Sequence, residues 1–487
     1  MRVGRSSSQA PRTLARRSCA TSRRRSRWPR RSSADAPRRG TLAIRIRFWG
    51  VRGSIAAAGP ETSRYGGNTP CVEARADDGT LLIFDAGTGA RKLGIALAKH
   101  GPVRAHLFIS HTHADHIQGL PFFLPAFVPG SHLTVYGPAG IDRTFPAAMG
   151  GQMDYAYFPV PMDDLPAQVD FVELGEGEFA VGGITVRSEF MNHTAPCLGY
   201  RVTAGEARFV YATDHEAHAL PFWRAERAAG TYDLADLLHA GDARHAGLLH
   251  EADVVIHDAQ YTAADYPARS GWGHSTVEYA VDLAAAAGAR RLILFHHDPG
   301  RDDAAVDSIV RQARAQAEAS GTGLEVGAAI EGDEIVLAEA GSGQRPADEG
   351  PRAPRLPTRA RILVADDDPA IRTVLETILA GDGYQVVSVG DGSAALELAQ
   401  RDSFDLILLD VQMPQRDGLD VARELRGDPR LAGVPIVILT GRSGEDDIQA
   451  AFAEGVTDYI TKPFAVAQVR ARVRSWLTRS ADGAAGP

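Results

Sequence analysis

The segment Ser110-His111-Thr112-His113-Ala114-Asp115-His116 constrains this chain more than any other stretch of it. Three histidines and an aspartate crowd into six positions directly after the apolar run Leu107-Phe108-Ile109. Packing offers no reason to gather them. A strand-to-helix turn loaded in this way presents imidazoles and a carboxylate to one point, which suits zinc or a similar borderline cation. Later segments repeat the theme. Asn192-His193-Thr194 supplies a histidine after a strand, and Tyr211-Ala212-Thr213-Asp214 supplies an acid at the end of another. Leu292-Ile293-Leu294-Phe295 runs into His296-His297. Such strand ends can converge on one rim.

The periodicity divides the chain in two. Strands are expected at 44–49, 81–85, 104–110, 133–136, 183–189, 199–203, 207–212, 253–257 and 292–296, with helices at 90–100, 276–288 and 303–319. Many strands with few intervening helices fit a layered α/β sandwich. Residues 341–359 are rich in Gly, Pro and charge and read as a linker. Beyond Arg361 strand and helix alternate strictly, five of each in about 120 residues, as a doubly wound parallel sheet requires. The expected parts are therefore an extension at 1–40, a first domain at 41–340, the linker, a second domain at 360–479 and a tail at 480–487.

Charge separates the head from the body. Residues 1–40 hold thirteen arginines and one acid, Asp35, without hydrophobic periodicity, which reads as a disordered extension. The net charge of −9 thus leaves about −21 on the rest. An acidic body repels polyanions and argues against a nucleic-acid polymer as substrate. Three cysteines, Cys19, Cys71 and Cys197, have no framework spacing and point to a reducing compartment, the cytoplasm. No apolar run is long enough to span a bilayer.

His-x-His-x-Asp-His at 111–116, with the later histidines and acid, resembles the signature of the metallo-β-lactamase superfamily over about residues 44–338. The resemblance implies an αββα sandwich holding two zinc or similar divalent ions. One ion would be held by His111, His113 and His193, the other by Asp115, His116 and His296, with Asp214 bridging. His297 is the rival for the last place; His296 is preferred because it directly follows the strand. Asp85, in the loop Asp85-Ala-Gly-Thr-Gly89, would orient a ligand imidazole from behind, or simply cap its loop. Two such cations lower the pKa of a shared water from roughly 15.7 towards about 7 and offset charge on a substrate oxygen.

Gly273-His274-Ser275-Thr276 looks like the His-Ser-Thr motif of the ribonuclease Z and phosphodiesterase branch. There the histidine assists at the scissile phosphate, and Asp258 stands where an acid polarises it. Phe48-Trp49-Gly50-Val51-Arg52-Gly53-Ser54 and Tyr65-Gly66-Gly67-Asn68-Thr69 resemble the same branch. Arg52 could meet a phosphate or be structural. No long basic insertion of the kind that clamps transfer RNA is present. The catalytic set expected is His274, Asp115 and Asp258, acting on a cyclic nucleotide or another small phosphodiester. The alternatives are a thioesterase or lactonase, or a signalling module whose first domain mainly binds partners.

The second domain carries Asp366-Asp367-Asp368-Pro369, Asp410 followed by Met413-Pro414, Thr440, and Lys462-Pro463-Phe464, each at the end of an apolar run. In a 2-1-3-4-5 sheet these ends meet at the carboxyl edge. Clustered acids of this kind need a hard cation such as magnesium. The stretch 360–479 resembles the flavodoxin-like (βα)5 receiver domain of two-component response regulators. That resemblance makes Asp410 the phosphoacceptor. Magnesium would sit on Asp366, Asp367, Asp410 and the Gln412 carbonyl, with Asp368 just outside. Thr440 and Lys462 would contact the phosphoryl oxygens, and Tyr459 would be the aromatic switch. The implied partner is a cognate sensor histidine kinase, and a homodimer is a further option.

Overall fold

The computed structural model describes residues 43–140, 143–219, 239–337, 360–441 and 455–462, with isolated positions at 222–237 and 464–477. The extension at 1–40, the linker, the helix expected at 445–454, much of that expected at 465–478, and the tail lie outside the described residues.

Two seven-stranded sheets form the first part. The first contains β1 (Ile44–Gly50), β2 (Cys71–Ala76), β3 (Leu81–Phe84), β4 (Arg104–Phe108), β5 (His132–Pro138) and β6 (Gln168–Leu174). The second contains β7 (Gly177–Val181), β8 (Ile184–Phe190), β9 (Leu198–Ala204), β10 (Ala207–Ala212), β11 (Val254–Asp258), β12 (Arg291–Phe295) and β13 (Glu325–Ala328). The chain then returns to the first sheet as β14 (Glu334–Leu337), beside β1.

Each sheet changes character along its width. β14-β1-β2-β3 pair antiparallel, whereas β3-β4-β5-β6 are parallel. Likewise β7-β8-β9-β10 pair antiparallel, and β10-β11-β12-β13 are parallel. Parallel strands end on a common edge, which is where open α/β sheets bind ligands.

The two sheets face each other through one apolar layer, with Ile46, Phe84 and Phe108 from the first and Val202, Phe209 and Phe295 from the second. Outside them lie α1 (Gly89–Ala98), the short α2 (Ala114–Ile117) and α3 (Phe145–Gly151), and on the other side α4 (Ala240–Leu249), α5 (Val277–Ala286) and α6 (Asp303–Ser320). Leu93 and Met149 cover the first sheet, and Leu248, Leu283 and Val310 cover the second. This is the αββα sandwich.

Five strands are additional to those expected from the periodicity: β2, β6, β7, β13 and β14. In β2, Cys-Val-Glu-Ala-Arg-Ala, charge hides the pattern. Glu73 is nearly buried because the Trp49 indole N–H (2.9 Å) and the Arg75 guanidinium (2.7 Å) donate to it. α4 was equally unforeseen.

The second part has β15 (Arg361–Ala365), α7 (Pro369–Gly381), β16 (Gln385–Val389), α8 (Gly392–Arg401), β17 (Leu406–Asp410), α9 (Gly418–Arg426), β18 (Ile436–Thr440) and β19 (Asp458–Thr461). All pair parallel in the order β16-β15-β17-β18-β19. α8 and α9 cover one face, and α7 with Val469, Val473 and Trp476 covers the other. Among the described residues no helix is long and apolar enough to cross a membrane.

Candidate dinuclear metal centre and phosphoacceptor site

The strands of the sandwich deliver its ionisable groups to one rim. Asp85 follows β3, Ser110 and His111 follow β4, Asp214 follows β10, Asp258 ends β11 and His296 follows β12. Asp85, Asp214 and His296 all adopt left-handed backbone, with φ of 58°, 53° and 60°. Side chains other than glycine pay strain there, and such strain concentrates at functional sites.

Asp214 stands at the centre. Its Oδ2 lies 3.6 Å from His111 Nε2 and 3.8 Å from His193 Nε2. Its Oδ1 lies 3.2 Å from His116 Nε2 and 3.3 Å from His296 Nε2. One carboxylate therefore presents one oxygen to each half of the cluster. His113 Nδ1 closes the first half, 3.2 Å from His193 Nε2. Asp115 Oδ2 closes the second, 3.2 Å from both His116 Nε2 and His296 Nε2. His297 points away and meets the Ala329 carbonyl at 3.1 Å.

The rings are held from behind. His116 Nδ1–H donates to Asp85 Oδ2 at 2.7 Å, and that carboxylate also accepts from Tyr211 OH (2.7 Å) and Ser110 N–H (2.7 Å). His296 Nδ1 meets Gln260 Oε1 at 2.9 Å, and His193 Nδ1 meets the Gly273 carbonyl at 2.9 Å. Each of these contacts turns a ring so that Nε2 faces inward, the usual arrangement behind metal-bound histidine. Glycine is required at two points. A Cβ on Gly53 would lie 2.4 Å from the His296 ring, and one on Gly273 would lie 2.3 Å from His193 Nδ1.

The donor set fits cations. Burial pushes the His111 imidazole well below its ordinary pKa and that of His193 to about 3, which favours neutral rings able to offer a lone pair to a cation. His111 Nε2 is buried with no hydrogen-bond partner. Asp85, Asp115, Asp214 and Asp258 are all buried at this rim, and buried carboxylates call for positive charge. The fold implies divalent metal, and these residues can hold it.

His274 lies over the cluster, its ring stacked on His296 with centroids 5.0 Å apart. Its Nδ1 is 3.0 Å from Asp258 Oδ2. Burial opposes charge on His274, but the Asp258 carboxylate outweighs it and holds the pKa up to about 9. Thr276 caps α5 by accepting from Tyr279 N–H, which fixes the end of the loop that carries His274.

The sequence did not single out Gln260, the Gly273 carbonyl, Tyr211 or Glu216. Glu216 accepts from Gly271 N–H (2.6 Å), Gly273 N–H (2.7 Å) and Tyr266 OH, and so pins the loop before His274. Its place two residues after Asp214 was the available signal. Arg52 takes the structural option: it is fully buried and donates to the backbone carbonyls of Gly66 (2.8 Å) and Arg301 (2.7 Å).

Asp85→Asn should keep the fold but weaken metal binding by about 10–100-fold, the usual consequence of losing a group that orients a ligand. Titration with a competing chelator reads this directly, and unchanged affinity would reduce Asp85 to a loop cap.

At the carboxyl edge of the second sheet, Asp366, Asp367 and Asp410 offer ligand atoms close enough to share a cation. Lys462 Nζ lies 2.7 Å from Asp366 Oδ2 and 3.0 Å from Asp410 Oδ1. Burial raises the Asp410 pKa, with Asp366 and Asp367 adding to it against Lys462. Thr440 ends the adjacent strand β18. Gln412 is exposed in the loop after β17. Asp368 caps α7 by accepting from Ala370 N–H at 2.7 Å. Tyr459 lies on β19, one residue from Asp458.

A family model described as "Beta-lactamase superfamily domain" matches residues 80–297, and one described as "Response regulator receiver domain" matches residues 362–474. The DNA-binding response regulator MtrA of Mycolicibacterium smegmatis is 43% identical over 124 residues, 26% of this chain and 53% of the relative. The chain thus spans about half the length of the curated relatives it matches. Among solved structures, the metallo-beta-lactamase fold protein YhfI from Bacillus subtilis aligns with 61% of this chain and 100% of its own, at 19% identity and TM-score 0.42. Human tRNase Z, short form, aligns with 60% of this chain and 98% of its own, at 20% identity and TM-score 0.40. The chain unites a beta-lactamase superfamily domain of the metallo-β-lactamase fold with a response regulator receiver domain.

Proposed function

We propose that this protein is a metal-dependent phosphodiesterase acting on a small phosphodiester, governed by phosphorylation of its receiver domain at Asp410. The observation that carries the reading is the pairing of the two-faced Asp214 carboxylate with the His274–Asp258 dyad above it. Two zinc-like ions, held by His111, His113 and His193 and by Asp115, His116 and His296 with Asp214 between, would supply the nucleophile and charge compensation. The chain's own residues do the rest. Asp85, Gln260 and the Gly273 carbonyl fix the ligand rings. Asp258 keeps His274 protonated and oriented, and His274 delivers a proton to the leaving oxygen.

Support for regulation comes from the contact between the two domains. His239, at the start of α4, donates through Nε2 to the Thr457 carbonyl at 2.6 Å, immediately before β19. A cleft there is lined by His193, Pro196 and His218 on one side and Asp458, Arg472 and Trp476 on the other. In a receiver, magnesium on Asp366, Asp367, Asp410 and the Gln412 carbonyl would precede phosphoryl transfer from a histidine kinase. Thr440 and Lys462 would hold the phosphoryl oxygens.

Full-length protein loaded with zinc should hydrolyse a bis-aryl phosphodiester in preference to an aryl thioester or a lactone. Acetyl phosphate with magnesium should change that rate in wild type and not in Asp410→Asn. Preference for the thioester or lactone would overturn the substrate class. Equal rates with and without acetyl phosphate in labelled wild type would overturn the regulation.

A further inference from the structure

Behind the metal centre the sandwich buries a second polar cluster that the chemistry above does not use. His215, His218, His239 and Asp242 are all buried, in the space between Asp214 and the receiver contact. Their hydrogen bonds can be followed donor by donor. Gly241 N–H donates to His239 Nδ1 at 2.9 Å, so Nδ1 is an acceptor and the Nε2–H donates to the Thr457 carbonyl of the receiver. The His239 ring stacks on His218, with centroids 4.8 Å apart and planes 12° from parallel. His218 meets Asp242 Oδ1 through its backbone N–H (3.0 Å) and its Nδ1 (3.2 Å). The same oxygen accepts from Tyr279 OH at 2.7 Å.

Tyr279 in turn lies 3.1 Å from His215 Nε2, and His215 Nδ1 accepts from Asn192 N–H at 3.2 Å. That backbone donor fixes the tautomer, because a ring accepting at Nδ1 carries its proton on Nε2. His215, His218 and Asp242 are close enough to hold a cation. Yet His215 presents a proton, not a lone pair, to that space, so it reads as a relay and not a ligand. The far end of the relay matters for chemistry. Asn192 precedes the ligand His193, and His215 follows the central Asp214. Asn192 is tied further to this segment, donating from Nδ2 to the Glu216 carbonyl at 2.9 Å and accepting from Glu216 N–H at 2.8 Å.

We infer that this chain of contacts, from Thr457 through His239, His218, Asp242, Tyr279 and His215 to Asn192, is the route by which the receiver sets the position of His193. The inference rests on the regulation proposed above and names its path. A route of this kind needs an element with two arrangements. Asp242 supplies one: its Oδ2 is buried without a hydrogen-bond partner, so the donors now gathered on Oδ1 have a second acceptor within reach of a small carboxylate rotation. Movement of Thr457, two residues before the switch position Tyr459, would pull on His239 and shift that balance.

The test uses full-length, zinc-loaded protein, untreated and treated with beryllofluoride and magnesium. Two quantities are read: turnover of a bis-aryl phosphodiester, and amide hydrogen exchange in peptides covering 190–196 and 455–462. Wild type should change turnover by about 5-fold or more, within the usual range of allosteric coupling, and change exchange in both peptides. Tyr279→Phe removes only the hydroxyl. His239→Asn keeps an acceptor for Gly241 N–H but cannot reach Thr457. Both should retain two zinc ions and the response of 455–462, while the response of 190–196 disappears and the change in turnover falls below about 2-fold. If Tyr279→Phe fails to fold by circular dichroism, His239→Asn decides. Variants that respond as wild type does overturn the route and leave the regulation standing. A wild type whose receiver peptide responds while turnover and 190–196 do not overturns both.

Discussion

His116→Ala is expected to bring phosphodiester turnover down by more than about 10³-fold and to lose bound metal. Its Nε2 lies 3.2 Å from both Asp115 and Asp214 while Nδ1 is bonded to Asp85, so the one ring joins three buried carboxylates. Without it the second half of the donor set keeps only Asp115, His296 and one oxygen of Asp214. Two-metal catalysis needs both halves, since one cation supports the attacking oxygen and the other the developing charge. Metal content by atomic emission and kcat/KM on the same sample check this. His297→Ala is the matched control: the His297 ring turns away from the cluster and bonds the Ala329 carbonyl, and its loss should leave two ions in place. Full metal content and activity in His116→Ala would overturn the assignment of the centre, whereas loss of metal in His297→Ala would reopen the choice between the two neighbouring histidines.

That choice shows what a sequence can and cannot convey. The ligand candidates were legible because they crowd into the 111–116 turn or follow the ends of later apolar runs, and parallel strands end on a common edge. His296 and His297 could be ranked by adjacency to the strand alone. Beyond Asp85 and Asp258, what could not be read is the support. Gln260 reaches His296 from the loop after β11, and a backbone carbonyl at Gly273 carries no sequence identity at all. The fold shows the same division. The receiver's central strands β15, β17 and β18 are largely apolar and buried, so their positions follow from composition. α4 hid because its buried face includes Asp242 and His245, polar residues that no hydrophobic period places inside a protein. They are inside because Tyr279 and His218 satisfy Asp242 and because His245 Nε2 meets His257 Nε2 at 2.8 Å. A helix whose inward face is a hydrogen-bond network looks, in sequence, like a helix with no inward face.

His274→Ala should lower kcat by about 10²–10⁴-fold, the range for a positioned acid or base, while metal content stays that of wild type. None of the inward-facing Nε2 positions depends on His274, whose Nδ1 is committed to Asp258. The pH profile separates a proton donor from a packing residue. Burial works against the charged ring, but Asp258 raises its pKa to about 9, so His274 is protonated throughout the neutral range. A donor is active in its protonated form, so turnover should hold up to pH 8 and fall as pH rises through about 9. In His274→Ala that alkaline limb should vanish. Asp258→Asn removes the carboxylate that holds the proton in place, and the limb should move to lower pH. Leaving-group dependence gives the second reading: an alkyl phosphodiester, whose alkoxide must be protonated as it departs, should lose more from His274→Ala than an aryl one. An equal loss for both substrates, with the alkaline limb intact, would mean that His274 only shapes the loop held by Glu216 and gives no proton.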